Sequence, residues 1–467
     1  MEAVDIHKDK KKKSFSPTRR IAFSFFMVIL IGSILLCFSF SNNGTVIPYL
    51  DHLFIATSAT CVTGLVPIVV SEQYSLIGQL IILALIQIGG LGFLTLLNMM
   101  LVAFKKKLSY TNKLIMQEAL NQSSMRAIAI YIKRVIKYTA VIELTGALLL
   151  SFVFIPQFGF AKGIYYSIFH AISAFCNAGF DILGSQSLIG YQGNVLVNLV
   201  IAGLIISGGL GFIVWVDLRT SWHRYKENFK VFQLKRYISA LSVHTKIVLI
   251  MTTFLIVSGM MIILALEFDN PATLGPLDWP QKVLASFFQS TTLRTAGFAT
   301  VDMASLHVST KLLMSMFMFI GGSPAGTAGG IKTVTVAIML LYIFALIKGS
   351  DTVKVMKRSI ADQVVKRSLT IAMVSFFITI SGLFVLSITE EALPFIDLTF
   401  EAFSAFATVG LSASITPLLT SVGKVIIIIL MYIGRIGPIT MVLMFAKRYS
   451  QMKGKDISYP QSDVLIG

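Results

Sequence analysis

Eight stretches, each roughly 20 apolar residues or more and so long enough to cross a bilayer, alternate with polar connections along the chain. They fall at about 21–41, 73–104, 130–155, 192–218, 245–267, 308–348, 367–389 and 422–446. Within each successive pair lies a shorter segment of mixed polarity, at 49–61, 163–177, 281–294 and 394–407. These are too short to cross and too apolar for ordinary loops. A single one would read as an amphipathic helix at the interface. Four in register predict re-entrant half-helices, because irregular backbone at membrane depth is tolerated only where it is buried or lines water. The pattern predicts an all-α membrane protein of four pseudo-repeats, each helix, re-entrant half-helix with filter, helix, around a central pore, with eight transmembrane helices. The expected divisions are a basic tail over 1–20, a first repeat over 21–104, a second with its linker over 105–219, a third over 220–348, and a fourth with the C-terminal tail over 349–467.

Each short segment runs into a glycine. The stretches are Thr60-Cys61-Val62-Thr63-Gly64, Cys176-Asn177-Ala178-Gly179, Arg294-Thr295-Ala296-Gly297 and Ala407-Thr408-Val409-Gly410. Fixed spacing between similar segments marks a repeated structural unit. A half-helix ending at a glycine fits a cation pore, in which backbone carbonyls replace the ion's water. Glycine permits the backbone angles that aim successive carbonyls at one axis. A second repeat follows downstream: Gly89-Gly90-Leu91-Gly92, Gly208-Gly209-Leu210-Gly211, Gly321-Gly322-Ser323-Pro324 and Gly434-Arg435-Ile436-Gly437. Small residues let membrane helices approach closely, so close packing and function both remain open for the first two copies. The last two depart from the pattern and point to function.

Composition agrees with lipid as part of the solvent. Hydrophobic residues make up 55% of the chain and charged ones 13%, against about 25% charged in soluble domains. Mean hydropathy is +0.80. The first apolar span reads as a retained helix, since the Lys8–Lys13 basic run is long and no small-residue cleavage site follows it. The net charge of +17 is spread over the N-terminal tail, the 105–137, 219–246 and 348–367 connections, and the C-terminal lysines and Arg448. That bias predicts both termini in the cytoplasm. Spread over five membrane-flanking segments, it does not describe a nucleic-acid surface. The opposite side carries Glu72, Asp181, Glu267, Asp269, Asp302, Glu390, Glu391 and Asp397, with Lys162, Lys282, Lys311 and Lys424. These acids would concentrate cations at the pore mouth, or serve only as solvated loop charges. Cys37, Cys61 and Cys176 have neither metal-ligand nor disulfide spacing and read as small packing residues.

No paired Asp, Ser–His arrangement or His-Glu-x-x-His motif occurs in the spans, which argues against an intramembrane hydrolase. An ordinary secondary transporter also uses repeats and broken helices, but would show two large halves rather than four units. The third unit's second span is interrupted by Gly321-Gly322-Ser323-Pro324-Ala325-Gly326-Thr327-Ala328-Gly329-Gly330. Glycine costs about 1 kcal/mol and proline about 3 kcal/mol per helical residue against alanine, so this run predicts a break. The segment Gly326 to Thr333 is similar to a phosphate-binding loop, but it has Ile331 where that motif needs glycine and no preceding strand.

The four glycine motifs, the paired spans and the Gly-Gly-Ser-Pro-Ala-Gly-Thr break resemble the Trk/Ktr/HKT superfamily of potassium transporters, and within it the bacterial KtrB-type subunits, from about residue 20 to 450. The resemblance implies potassium uptake at the plasma membrane, often sodium-dependent. It also implies a homodimer with one pore per protomer and a cytoplasmic ring of nucleotide-binding regulatory subunits. Potassium is then the transported ion, sodium a second one, and no organic cofactor belongs to this chain. Gly64, Gly179, Gly297 and Gly410 match the filter glycines whose backbone holds potassium. The first is serine in some plant relatives, which goes with sodium selectivity. The residues before each glycine become the filter, and 321–330 becomes an intramembrane gating loop. Arg435, in place of the second glycine of its repeat, is expected under the filter, bonded to loop carbonyls and acting as a barrier to cations. Lys332 is assigned to the gate, although snorkelling to the cytoplasmic face is the simpler role. Arg294 is expected behind the filter, paired with Glu401 or Glu391. Asn177 is expected as a hydrogen-bonding strut, Glu143 facing another helix, and His170 packed rather than ligating.

Overall fold

The computed structural model describes residues 17–92, 125–228, 233–350 and 352–437. The basic tail, much of the 105–137 connection, the end of the second span and the C-terminal lysines lie outside the described residues. The first unit holds α1 (Pro17–Cys37), α2 (Tyr49–Cys61), α3 (Val70–Gln73) and α4 (Leu76–Leu91). The second holds α5 (Met125–Phe158), α6 (Phe160–Phe175), α7 (Val195–Gly209) and α8 (Phe212–Asn228), after which α9 (Leu234–Ala240) leads on. The third holds α10 (Val243–Glu267), α11 (Trp279–Thr292), α12 (Val308–Phe319) and α13 (Thr333–Ile347). A two-residue hairpin, β1 (Lys354–Val355) and β2 (Arg358–Ser359), precedes α14 (Asp362–Thr389), α15 (Phe395–Ala407) and α16 (Ser421–Ile436).

The short segments are helices with buried bodies. In α2 every residue from Phe54 to Cys61 is buried, and in α15 every residue from Leu398 to Ala407 except Phe403. A helix apolar or buried all round belongs inside a bundle. The longer helices instead expose apolar side chains outward, such as Leu144, Leu148 and Phe152 on α5 and Phe254 and Met261 on α10. A lipid-facing surface requires this.

Among the described residues three helices are alone long and apolar enough to cross a membrane: Lys133–Phe158, Val243–Glu267 and Asp362–Thr389. The expected unbroken span 192–218 is instead two helices. Val195–Gly209 and Phe212–Lys226 meet at 92°, with Gly211 at φ 88°. Its apolar run carries no polar warning, and the break is stabilised from elsewhere in the chain. Gly92 and Gly437 end α4 and α16 with the same handedness, at φ 79° and 95°. The third glycine of the downstream repeat therefore stops a helix in three of its copies.

Candidate ion pathway

The four short helices end alike. Val62, Asn177, Thr295 and Thr408, each two residues before a motif glycine, take the left-handed conformation at φ 58°, 59°, 68° and 54°. Positive φ in a β-branched residue is a true outlier of a kind that clusters at functional sites. The following amide is tied back into the helix: Thr63 N to Ser58 O at 2.8 Å, Ala178 N to Ser173 O at 2.8 Å and Val409 N to Ser404 O at 2.8 Å. The third unit closes one residue tighter, with Ala296 N to Thr292 O at 2.9 Å.

The glycines then meet in a closed ring. A Cβ on Gly64 would lie 2.6 Å from Ala178 O, on Gly179 2.6 Å from Ala296 O, on Gly297 2.7 Å from Val409 O, and on Gly410 2.0 Å from Thr63 O. Each glycine thus abuts the carbonyl preceding the next unit's glycine, and the fourth returns to the first. All four have positive φ and all four line one cavity of about 440 Å³, whose wall also includes Asp181 and Asp302. The helices point their C-termini, the negative ends of their dipoles, at this ring. The buried hydroxyls of Thr60, Thr63, Thr295 and Thr408 have no protein partner.

Serines six residues before three of the glycines brace the turn, a feature the motif reading missed. Ser58 Oγ accepts from Gly64 N at 3.0 Å, Ser404 Oγ accepts from Gly410 N at 3.1 Å, and Ser173 Oγ donates to Phe180 O at 2.6 Å. The fixed offset was the available signal. The first glycine of the downstream repeat is a packing contact: a Cβ on Gly89, Gly208 or Gly434 would strike Thr60 O, Phe175 O or Phe406 O at 2.0, 1.9 or 1.8 Å. A Cβ on Gly90 would lie 2.6 Å from the Cys176 sulfur, and Cys61 and Cys176 are both buried and free.

The interrupted segment of the third unit lies against these turns. Its neck is closed by Gly321 N to Ile331 O at 2.9 Å and Thr333 N to Gly322 O at 3.0 Å, and Ser323 Oγ lies 3.0 Å from Thr333 Oγ1. Backbone freed by the loss of helix must find partners, and three of them come from the broken second unit. Ser323 N donates to Gly209 O and Thr327 N to Gly208 O, while Ala325 O accepts from Phe212 N. The two breaks satisfy each other. A Cβ on Gly211 would lie 2.5 Å from Pro324 O and one on Gly326 3.0 Å from Gly208 O. On the far side, a Cβ on Gly329 would strike Thr408 Oγ1, and one on Gly330 would crowd Ala407.

Charged donors complete the loop. Arg435 donates to Thr327 O and to Gly89 O, tying the fourth unit to the loop and the first unit. Lys332 does not extend away from the loop. It doubles back to Ala328 O at 2.6 Å and Gly329 O at 3.3 Å, because the loop presents unpaired carbonyls within reach. Asn177 is a strut: its Nδ2 donates to Arg294 O at 3.1 Å and its Oδ1 accepts from Thr327 Oγ1 at 3.1 Å. Thr327 Oγ1 also lies 3.1 Å from Phe175 O.

Arg294 is buried, but not in the expected pair. Neither terminal nitrogen of its guanidinium has a partner, and the Glu401 carboxylate turns instead to Thr416 on its own loop. Among the described residues the ion pairs are Lys311–Asp397 at 2.7 Å and Lys424–Asp51 at 2.6 Å. Lys311 is thus a buried partner, and Lys424 and Asp397 are half-buried ones, rather than solvated loop charges. Glu143 faces Gln87 of α4 at 3.2 Å. His170 packs among aromatic rings with Nδ1 2.7 Å from Tyr166 O. The ring carbonyls and the unpartnered threonine hydroxyls are the oxygens the arrangement presents at the ring.

Residues 4–456 match the family described as "TrkH: Cation transport protein". The chain belongs to that family, whose members are membrane transport proteins and not enzymes. It is 40% identical over 466 residues to "Ktr system potassium uptake protein B" of Bacillus subtilis (strain 168), covering 99% of this chain and 100% of that protein. It is 39% identical to "Potassium/sodium uptake protein NtpJ" of Enterococcus hirae, again covering 99% of this chain and 100% of that protein. The fold is similar to the crystal structure of the potassium transporter TrkH from Vibrio parahaemolyticus, with a TM-score of 0.73 at 16% identity over 94% of this chain and 86% of that one.

Proposed function

We propose that the chain is the pore-forming subunit of a potassium uptake system. Its four repeats, over 21–104, 105–219, 220–348 and 349–467, contribute eight transmembrane helices and one filter. The observation that carries this reading is the closed ring of four glycines, each against the carbonyl before the next. Carbonyls held in this way replace an ion's hydration shell. The relatives named for potassium uptake match over their full length, and the potassium/sodium name of one supports sodium as a second ion. Residues 321–330 act as the gate, with Arg435 and Lys332 as its donors. Both termini are cytoplasmic, and the protein works as a homodimer on a nucleotide-binding regulatory ring. Potassium uptake by a transport-deficient host expressing this chain, with and without sodium and with and without a co-expressed ring protein, tests the proposal. Rescue at limiting potassium supports it, and a well-expressed chain that restores no uptake under any of these conditions overturns it.

A further inference from the structure

We propose that a basic cleft between α5 and α8 binds the phosphate of an anionic phospholipid in the cytoplasmic leaflet. The side of the membrane rests on the topology given under Proposed function, whereas the cleft itself is observed. Arg134, Lys137 and Tyr138 come from α5, and Arg219, Thr220 and His223 from α8, and they enclose about 250 Å³. On each helix they fall at three- and four-residue spacings, which place side chains on one face. The cleft therefore joins two faces remote in sequence, where a topological bias would only scatter positive charge.

Three cations and a histidine meet here, with no carboxylate among the described residues of the lining. Both ion pairs among the described residues lie elsewhere. Arg219 is held 6.0 Å above the Tyr138 ring, which orders a guanidinium suited to bidentate phosphate recognition. The Tyr138 and Thr220 hydroxyls add neutral donors.

The surroundings select a lipid as the source of the phosphate. One turn beyond Lys137 begins a stripe of outward apolar residues on α5: Val141, Leu144, Leu148 and Phe152, exposed by 54%, 67%, 62% and 66%. Acyl chains lying along that stripe would bring a headgroup to the cleft. On α8, Trp222 stacks with Tyr225 and lies beneath Lys226 at 5.2 Å, the kind of amphipathic ring that sits at headgroup level. The cleft is also smaller than the roughly 300–1,000 Å³ of sites that enclose a whole small molecule. It suits a headgroup whose chains stay outside.

The test uses the full-length protein in neutral detergent, titrated with phosphatidylglycerol or with phosphatidylcholine of the same chains, with adducts counted by native mass spectrometry. Phosphatidylglycerol should be retained over phosphatidylcholine. Each basic residue near an anionic headgroup is worth about fivefold, so Arg134→Gln with Arg219→Gln should weaken retention about thirtyfold. Arg134→Lys with Arg219→Lys, which keeps both charges, should retain most of it. Equal retention of the two lipids, or equal retention by the Gln variant, overturns the proposal. Displacement by millimolar inorganic phosphate alone would make this a free-phosphate site and also overturn it. So would a Gln variant that keeps the lipid but no longer co-purifies with a ring subunit, which would make it a protein-docking surface. Binding is read without ion flux, so its failure is distinct from failure of the transport reading.

Discussion

Gly64 sits at φ +100°, with its Cβ direction 2.6 Å from the Ala178 carbonyl oxygen. A serine there meets a backbone angle that side chains avoid and a neighbouring carbonyl at once. Gly64→Ser should therefore weaken discrimination between potassium and sodium and lower potassium affinity, read as ion uptake at limiting potassium. Unchanged affinity and unchanged sodium exclusion would remove Gly64 from the filter. Asp181, in the loop after Gly179, is half-buried in the wall of the cavity that the four glycines line. Burial pushes its carboxyl up to about 6, against a hydrogen bond from Leu183 N. Above that pH the mouth carries an extra negative charge, and below it the charge is lost. Potassium affinity should fall by a factor of about two to five as external pH drops from above 6 to below it. Asp181→Asn should already have the acid-pH affinity and a flatter profile. If the variant keeps the full pH dependence, Asp181 is not the titrating group.

The loop of the third unit has two kinds of hold on its surroundings, and they should separate by experiment. Arg435 grips Thr327 by its carbonyl, while the Thr327 hydroxyl reaches Asn177 and Phe175 O at the turn that ends α6. A hydrogen bond from a charged group is worth about 1.5–3 kcal/mol. Losing one from the closed arrangement would shift the open population by about tenfold or more. Arg435→Ala should raise maximal potassium flux with selectivity intact. Thr327→Val should raise flux and also admit more sodium, since Asn177 then holds Arg294 O without its second partner. Paired uptake measurements decide this, and identical selectivity in the two variants would mean that Asn177 does not link loop to filter. The half-helices themselves were legible in the chain. Segments expected at 49–61 and 394–407 are Tyr49–Cys61 and Phe395–Ala407, because a left-handed residue and a glycine punctuate them. The bend at Gly211 was not legible, since its exposed carbonyls are satisfied by Ser323 and Thr327, more than a hundred residues away. The partner of Arg294 was likewise out of reach. Glu401 is claimed by Thr416, and only the folded loop brings that hydroxyl to the carboxylate.

At the scale of the whole molecule, neighbouring units are also joined by side chains at the starts of their second helices. The position four residues after the cap of each second helix recurs: Gln79, Asn198, Lys311 and Lys424. Gln79 accepts from Tyr165 of α6 at 2.9 Å, Lys311 reaches Asp397 of α15, and Lys424 reaches Asp51 of α2. Three seams are thus closed by the same position. Asn198 bonds locally, to Tyr191 O and Asn194 O, leaving the seam between second and third units without this link. That is the seam crossed by Asn177 and by the loop's bonds to Gly208 and Gly209, so the joint without this link coincides with the proposed gate. The Lys424–Asp51 pair spans 373 residues of sequence and closes the fourth unit onto the first. Its side chains are 16% and 8% exposed, and breaking a buried pair by removing one partner costs about 3–5 kcal/mol. Lys424→Met should therefore lower the melting temperature of the purified protein markedly and disturb the turn at Gly410, which abuts Thr63. Lys424→Met with Asp51→Leu should recover most of the stability, because no charge is left buried without a partner. Equal melting of the single variant and the unmodified chain would show that the ring is closed by packing around the glycines and not by this pair.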